Sequence, residues 1–411
     1  MLFCTGMKMR KIYHFTFVLP AFSLVPAGGY MVVFELSKYL VDNEYKVLVI
    51  FLRRMDRNLY KFLKKKEIID RMKSNTLKFK LYDYFQTTLL VQLLIGIIKK
   101  FPSFLGLIGI RTRGDQTKDG SHNFFLSEFN FSGIDFLVRD NIPKKLQTHR
   151  IVATAWETAY FVDRFVGCNL KYYLAQHDED DPSFSGKLSN IARKSYDLNL
   201  KKIVINKHMQ ERFSKENPIK ITVASHVNGK IITKPEERNN KVIVMQLRAS
   251  ADKGAKYAIE AAQTIKAEHP DINIISFGDY KKKVPEFINH LGYVNNTRYI
   301  EILNFASIFI LPSLVEGFST PVLEAMSCGC VPVATKCGGP EDFVEHQKNG
   351  LLVPIKSALS IVENVLWLLN NNEKRIEMAY NAINTANGFS IDRMGSEFVS
   401  GVKCFEENHR L

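Results

Sequence analysis

The chain has 411 residues, 46% of them hydrophobic and 24% charged, with a formal net charge of +14. That length favours two domains, each large enough to bury its own core, and the composition is that of a folded globular protein rather than a disordered one. Six cysteines with no CxxC pair, and no His cluster at zinc spacing, argue against a disulfide scaffold or a zinc site and point to a reduced cytoplasmic compartment.

The N-terminal stretch MLFCTGMKMRKIYHFTFVLPAF carries positive charge ahead of an apolar run. No A-x-A-like cleavage site follows closely, so the run reads as a first buried strand, KIYHFTFVLP, and not as a signal peptide. PAGGY (26–30) then opens the helical pattern GGYMVVFELSKYLVDN, and YKVLVIFL is the next strand. The apolar stretch 87–113 is broken by two lysines and a proline, which leaves it too short to span a bilayer. It reads as a core helix followed by a loop, or as an element dipping into a membrane surface. RIVATA, KYYLAQ and KIVIN complete the strands of the first half.

The polar stretch NGKIITKPEERNN (228–240) marks an interdomain linker. It sets an N-terminal domain at 1–227 and a C-terminal domain at 228–389, with a terminal helix at about 390–411 placed to pack back on the first. In the second half KVIVMQL, INIISFGD, SIFILP, VPVAT and LLVP alternate with helical patterns such as KGAKYAIEAAQTIKAEHP. Such alternation predicts an α/β fold of parallel sheets covered by helices on both faces. Two doubly wound, Rossmann-like domains facing one another across a cleft are expected, with ligands beyond the carboxyl ends of the strands.

One loop concentrates chemistry. After the strand SIFILP, the text SLVEGFSTPVLEA places Glu316 and Glu324 eight residues apart. Thr320 suits an N-cap and Pro321 the first helical position, so the helix start offers backbone amides to a phosphate. Glu324, just over one turn into the helix, leans back toward that start, and both carboxylates can reach one ligand. A carboxylate accepts two hydroxyl hydrogen bonds at once, as vicinal sugar or ribose hydroxyls would offer. The bland alternative is that the two charges only favour the helix N-terminus, by about 0.3–1 kcal/mol each.

EGFSTPVLE, continued by AMSCGCVPVATKCGGPEDFVEHQKNGLLVP, resembles the E-x7-E signature of the retaining glycosyltransferases of family 4, which have the GT-B fold; the match runs over residues 316–354. The resemblance implies that Glu316 lies by the donor sugar and Glu324 holds the nucleotide ribose, with Gly317, Phe318, Ser319 and Thr320 between them on the donor. It implies that Arg248 and Lys253 in QLRASADKG grip the donor diphosphate, where two cations can neutralise a leaving group. PAGGY resembles the family's glycine-rich loop, in which the amides of Gly28 and Gly29 approach the donor phosphates.

TAWETAYFV (154–162) and YYLAQHDEDDPSFSG (172–186) look like segments of rhamnosyltransferase-type members, which makes Trp156, Thr158, Tyr160, Gln176, His177 and Asp178 candidates on the acceptor side. HDEDD could also hold a divalent metal or form a polar turn before Pro182. The resemblance favours no metal and no cofactor, with the nucleoside-diphosphate sugar as co-substrate and a glycan or lipid-linked glycan as acceptor. It favours a front-face route in which a donor phosphate oxygen deprotonates the acceptor hydroxyl. Two departures stand out. RASADKGAKYAIEAA is poorer in glycine than the family pattern, and the NGVD-like text appears only as HVNGKII, with Asn228 and Gly229.

The positive charge bears on partners. Lysine clusters stand at 61–67, 99–100 and 279–284, without a nucleic-acid motif or a basic stripe with interleaved aromatics. Nucleic acid is therefore not an expected partner, and an anionic membrane suits the clusters better, as a peripheral contact at the inner face of the cell membrane. A nucleotide-sugar epimerase of the same fold and a non-catalytic sugar-binding or membrane scaffold are the alternative functions. The scaffold would tolerate loss of Arg248 and Lys253, and the presence of both tells against it.

Overall fold

The computed structural model describes residues 11–20, 28–52, 130–181, 185–225, 227 and 233–408. The leading residues, the loop before Gly28, the stretch 87–113, and Asn228 with Gly229 lie outside the described residues. The chain divides into two compact units: Met1–Val204 with Phe213–Ile219, and Ile205–Arg212 with Lys220–Leu411.

The first sheet contains β1 (Tyr13–Leu19), β2 (Val47–Leu52), β3 (Ile134–Arg139), β4 (Thr148–Ala153), β5 (Leu170–Ala175), β6 (Lys201–Val204) and β7 (Ile219–Lys220). Its strand order is β3-β2-β1-β4-β5-β6-β7. Every pairing from β3 through β6 is parallel. β2, VLVIFL, is buried at each position, as a parallel strand covered on both faces must be. The helices α1 (Gly28–Asp42), α2 (Trp156–Arg164) and α3 (Ser189–Ser195) belong to this unit. β3 is absent from the sequence reading. Only its first residue is fully buried, and Asp135 and Arg139 interrupt its apolar run. Long-range contacts fix Asp135, which receives Lys11 Nζ at 2.5 Å and the Tyr13 hydroxyl at 3.0 Å.

Helix α4 (Lys207–Arg212) lies with the second unit although it follows β6 directly. The second sheet contains β8 (Val242–Gln246), β9 (Asn273–Phe277), β10 (Ile288–His290), β11 (Ile308–Leu311), β12 (Val331–Thr335) and β13 (Leu351–Val353). Its order is β10-β9-β8-β11-β12-β13, parallel throughout. The pattern repeats that of the first sheet. In each, the chain winds outward from a central strand and then crosses back to start the other half, so β1/β4 and β8/β11 are the topological switch points.

The remaining helices are α5 (Ala255–Glu268), α6 (Asn296–Phe305), α7 (Thr320–Ser327), α8 (Ala358–Asn370), α9 (Asn372–Asn387) and α10 (Ile391–Asn408). Helix α5 presents Ala255, Ala258, Ala261 and Ala262 to a core of Ile243, Met245, Ile310, Val333 and Leu351. Small side chains let that helix lie close to the sheet. Helix α10 is part of the second unit, and its Glu397 carboxylate accepts the Thr222 amide at 2.6 Å. The polar stretch before β8 is anchored rather than fully solvated. Arg238 is buried and donates to Leu303 O at 2.8 Å, to Ala306 O at 2.7 Å and to Cys328 O, the carbonyl ends of α6 and α7. No helix among the described residues is long and apolar enough to cross a membrane.

Candidate active site

The site of the second unit is built at its switch point, from the loops that leave β8 and β11. β8 ends at Gln246 and the chain turns at once, carrying Arg248. Arg248 Nε donates to Asp279 Oδ1 at 2.9 Å, and the same oxygen accepts the Ala249 amide at 2.8 Å. Burial works against the charge of Asp279, but the Ala249 amide and the Arg248 guanidinium outweigh it and hold the carboxyl below its usual range. Asp279 therefore aims Arg248 through one nitrogen. Among the described residues, its two Nη groups are not spent on protein partners.

Lys253 closes a short 3-10 turn at 251–253. Its Nζ lies 3.0 Å from Glu316 Oε1, 3.5 Å from Asp252 Oδ2 and 3.5 Å from Val315 O. One cation is thus held between two carboxylates, and the loops after β8 and β11 are joined through it. Glu316 Oε1 also accepts the Ser313 hydroxyl at 2.7 Å. The Glu316 backbone is pinned on both sides, its amide to Cys337 O at 2.9 Å and its carbonyl to the Gly339 amide at 3.0 Å.

Two glycines make this closeness possible. Gly254, at φ +62°, sits where a Cβ would fall 2.0 Å from Pro312 O. At Gly339 a Cβ would fall 2.4 Å from the Phe318 carbonyl carbon. A side chain at Gly254 would push apart the loops that carry Lys253 and Glu316, and one at Gly339 would push the loop after β12 off the loop that carries Glu316.

The start of α7 differs from the expected one. The N-cap is Ser319, with Thr320 and Pro321 inside the helix, and Ser319 holds left-handed backbone at φ 73° and ψ 59°. Ser and Thr both suit a cap, so residue type could not choose between them; the strained turn that brings Gly317 and Phe318 back toward the sheet does. The Ser319 hydroxyl is buried and makes no hydrogen bond. Val322 N and Leu323 N both reach Ser319 O, and the amides of Ser319 and Thr320 come ahead of these first helical bonds.

Phe318 is buried against Phe343 at 5.2 Å and Phe389 at 6.0 Å between ring centroids. Gly317 O accepts Asn206 Nδ2 at 2.7 Å, from the residue that caps α4. Glu324 is buried one turn into α7, and one of its oxygens accepts the Tyr299 hydroxyl at 2.7 Å. The Tyr299 phenol is pushed well above its usual pKa, first by burial and then by Glu324. Cys337 is likewise raised, to about 12, chiefly by burial, which leaves a neutral thiol beside the site. Arg248, Lys253, Glu316, Ser319, Thr320 and Glu324 therefore share the carboxyl end of one sheet. Asp279, Tyr299, Asn206 and the two glycines are the supporting residues that the sequence reading leaves out. The pair Gly278–Asp279 directly after a strand is the signal for the first of them.

In the first unit, Gly28 and Gly29 are the opening residues of α1. Gln176, just past β5, donates through Nε2 to Gly29 O at 3.2 Å. A Cβ on Gly29 would crowd that amide at 3.1 Å. Trp156 is buried at the start of α2. The Thr158 hydroxyl accepts the amides of Thr154 and Ala155, at 3.0 and 3.1 Å, and donates to Ala155 O. The Tyr160 hydroxyl donates to Ile191 O at 2.7 Å. His177 and Asp178 are half-buried in the turn after β5, where His177 O accepts the Tyr196 hydroxyl at 3.2 Å.

The family described as glycosyl transferases group 1 matches residues 229–385. Over that stretch the chain is similar to the group 1 glycosyl transferases. An N,N'-diacetylbacillosaminyl-diphospho-undecaprenol alpha-1,3-N-acetylgalactosaminyltransferase of Campylobacter jejuni is 30% identical over 154 residues, 35% of this chain and 40% of that protein. An uncharacterized glycosyltransferase of Haemophilus influenzae is 27% identical over 199 residues, 46% of this chain and 56% of its own length. The chain thus spans about half the length of the curated relatives it matches.

The crystal structure of Anabaena HepE in complex with UDP superposes with a TM-score of 0.64 at 15% identity, covering 95% of this chain and all of the other. Likeness at that identity shows the fold. It is the GT-B fold, the architecture that the resemblance implies, built from the parallel sheets that the strand and helix pattern predicts.

Proposed function

We propose that the protein transfers a sugar from a nucleoside diphosphate to a hydroxyl of a glycan or lipid-linked glycan, with retention of anomeric configuration and without a metal or other cofactor. The observation that carries this reading is the convergence on one switch point of Arg248, the Lys253–Glu316 pair and the start of α7, with its buried Ser319 hydroxyl. The diphosphate lies on the Ser319 and Thr320 amides and the Arg248 guanidinium, a combination of helix start and cation suited to an anion. Glu324, steadied by Tyr299, accepts the ribose hydroxyls, and Glu316 stands by the sugar.

As the glycosidic bond breaks, charge grows on the leaving diphosphate, and cations already in place stabilise it without reorganisation. Lys253 acts from its seat on Glu316 and moves its charge toward the phosphate side as that charge develops. The proton of the acceptor hydroxyl passes to a donor phosphate oxygen. The Campylobacter relative carries a diphospho-undecaprenol in its name, which supports a lipid-linked acceptor. The net charge of +14 and the exposed run Lys281–Lys283 support peripheral contact with an anionic membrane on the cytoplasmic side.

Thermal-shift measurement against UDP-, GDP-, ADP- and dTDP-sugars, without metal, tests the reading, because a ligand of the native state raises the melting temperature. One nucleotide series is expected to stabilise the wild type, and Arg248→Ala to lose that shift. If no series stabilises it, even with added Mg²⁺ or Mn²⁺, the donor assignment falls and a scaffold role takes its place.

A further inference from the structure

In the loop between β11 and α7 the peptide groups are sorted by polarity. The Glu316 carbonyl accepts the Gly339 amide at 3.0 Å, the Gly317 carbonyl accepts Asn206 Nδ2 at 2.7 Å, and the Ser319 carbonyl accepts the amides of Val322 and Leu323. The amides of Gly317, Phe318, Ser319 and Thr320 are given to none of the described residues, and the buried Ser319 hydroxyl among them makes no hydrogen bond. Protein groups hold the carbonyls, and successive N–H groups are left for a ligand rich in oxygen, as in a backbone nest.

One of these carbonyls is held by a side chain, and that bond decides which way a peptide faces. A trans peptide is planar, so its C=O and N–H point in opposite directions. Gly317 O on Asn206 therefore turns the Phe318 N–H to the other side of the chain. The ring of Phe318 is lodged against Phe343 and Phe389, which fixes the side chain but not the peptide plane ahead of it, and a glycine on the other side of that peptide leaves rotation about its ψ unhindered.

Asn206 is firmly placed for this task. It is buried, and its two partners fix the orientation of its amide: Gly317 O accepts and must face Nδ2, while the Met209 N–H donates and must face Oδ1, at 2.7 Å. Its backbone is held by the Lys207 amide on Asp342 Oδ2 at 2.8 Å and by the Gln210 amide on Asn206 O at 3.1 Å. Asn206 and Gly317 both belong to the second unit. Capping of α4 alone would be served by serine, threonine or aspartate. An ionised aspartate has no proton for Gly317 O, and a hydroxyl is one bond too short to span both partners.

We propose that Asn206 is a positioning residue for the donor, setting the Gly317–Phe318 peptide so that the Phe318 N–H joins those of Ser319 and Thr320 in receiving the nucleoside-diphosphate sugar. It rests on the glycosyltransferase reading above and adds to it the residue that sets the polarity of the donor loop. Asn206 acts only through that peptide.

The test labels the full chain with ¹³C at glycine carbonyls and ¹⁵N at phenylalanine, which marks two directly bonded pairs, Gly317–Phe318 and Gly388–Phe389. Gly388→Ala, at an ordinary helical φ of −73°, identifies the second pair by removing it. The probes are UDP-, GDP-, ADP- and dTDP-glucose. One of them is expected to shift the Phe318 amide of the wild type. Asn206→Asp keeps the α4 cap and the side-chain shape but turns an oxygen toward Gly317 O. It is expected to shift the Gly317 carbonyl before any ligand is added, to abolish the response of the Phe318 amide, and to weaken binding of that nucleotide sugar roughly tenfold in calorimetric titration. Asn206→Ser, which caps α4 without reaching Gly317, is expected to do the same and stands in if the aspartate variant does not fold. The proposal is overturned if a nucleotide sugar binds the wild type without moving the Phe318 amide, or if the variants bind it as tightly as the wild type does. If none of the four binds the wild type, the nucleotide-sugar reading falls and takes this proposal with it, a failure told from the others by the wild-type titration alone.

Discussion

Glu324 shows how a single side chain is made useful by a neighbour distant in sequence. Its carboxylate is buried in α7 and held by the hydroxyl of Tyr299, 25 residues earlier. Tyr299→Phe keeps the ring packed edge-on against Phe277, at 5.1 Å between centroids, and removes only the hydroxyl. The lost hydrogen bond to a charged acceptor should lower stability by about 1–2 kcal/mol in urea unfolding and weaken UDP binding roughly 3- to 10-fold by calorimetric titration. Unchanged UDP affinity would refute the assignment of Glu324 to the ribose. The two glutamates were legible because spacing and helix geometry put them on one ligand. Tyr299 was not, since an aromatic in an amphipathic helix reads as core until its hydroxyl is seen to have a partner.

At the scale of loops and helices, the site depends on two connections being allowed to touch. Gly254 caps α5 with left-handed backbone, under the carbonyl of Pro312. Gly254→Ala must both adopt φ near +62° and relieve a 2.0 Å approach, so the loops bearing Lys253 and Glu316 separate. A loss of about 2–4 kcal/mol in chemical denaturation is expected, accompanied by weaker nucleotide binding. Stability equal to the wild type would show that the loops do not lie this close. The strand β9 carries the same lesson. The apolar run INIISFGD predicts a strand that overruns by two residues at its carboxyl end, because Gly278 turns at φ +125° against Leu247 O and frees Asp279 to meet Arg248. A glycine after a strand was visible; what it approaches was not.

For the whole molecule, Glu157 of the first unit gives stability a definite pH dependence. Glu157 titrates near 7 when folded and near 4.5 when unfolded, so between those values the folded state binds more protons. Unfolding free energy therefore falls as pH rises through that window, and the penalty is complete above about 7. In calorimetry, Glu157→Gln should melt with the same offset from wild type at every pH below about 4.5, and then gain on it, by roughly 2–5 °C, as pH rises past 7. An offset that stays constant across the window would mean that Glu157 is solvated and paired.

Period and punctuation were enough to recover the inner strands of both parallel sheets, though not β3, β7 or β10 at their edges. Runs such as VLVIFL and VPVAT are apolar at every position because their strands are covered on two faces, a local consequence of burial that is written in the residues themselves. The Glu316/Glu324 spacing and the helix start between them were equally local. The edge strand β3, the capping of α7 by Ser319 and the tether from Asn206 to Gly317 O had no such mark. Each depends on which groups from remote parts of the chain arrive at one place, and on which hydrogen bonds they have already formed. Hydrophobic period specifies an element's face, whereas a side chain's role depends on the partners that folding brings to it or withholds.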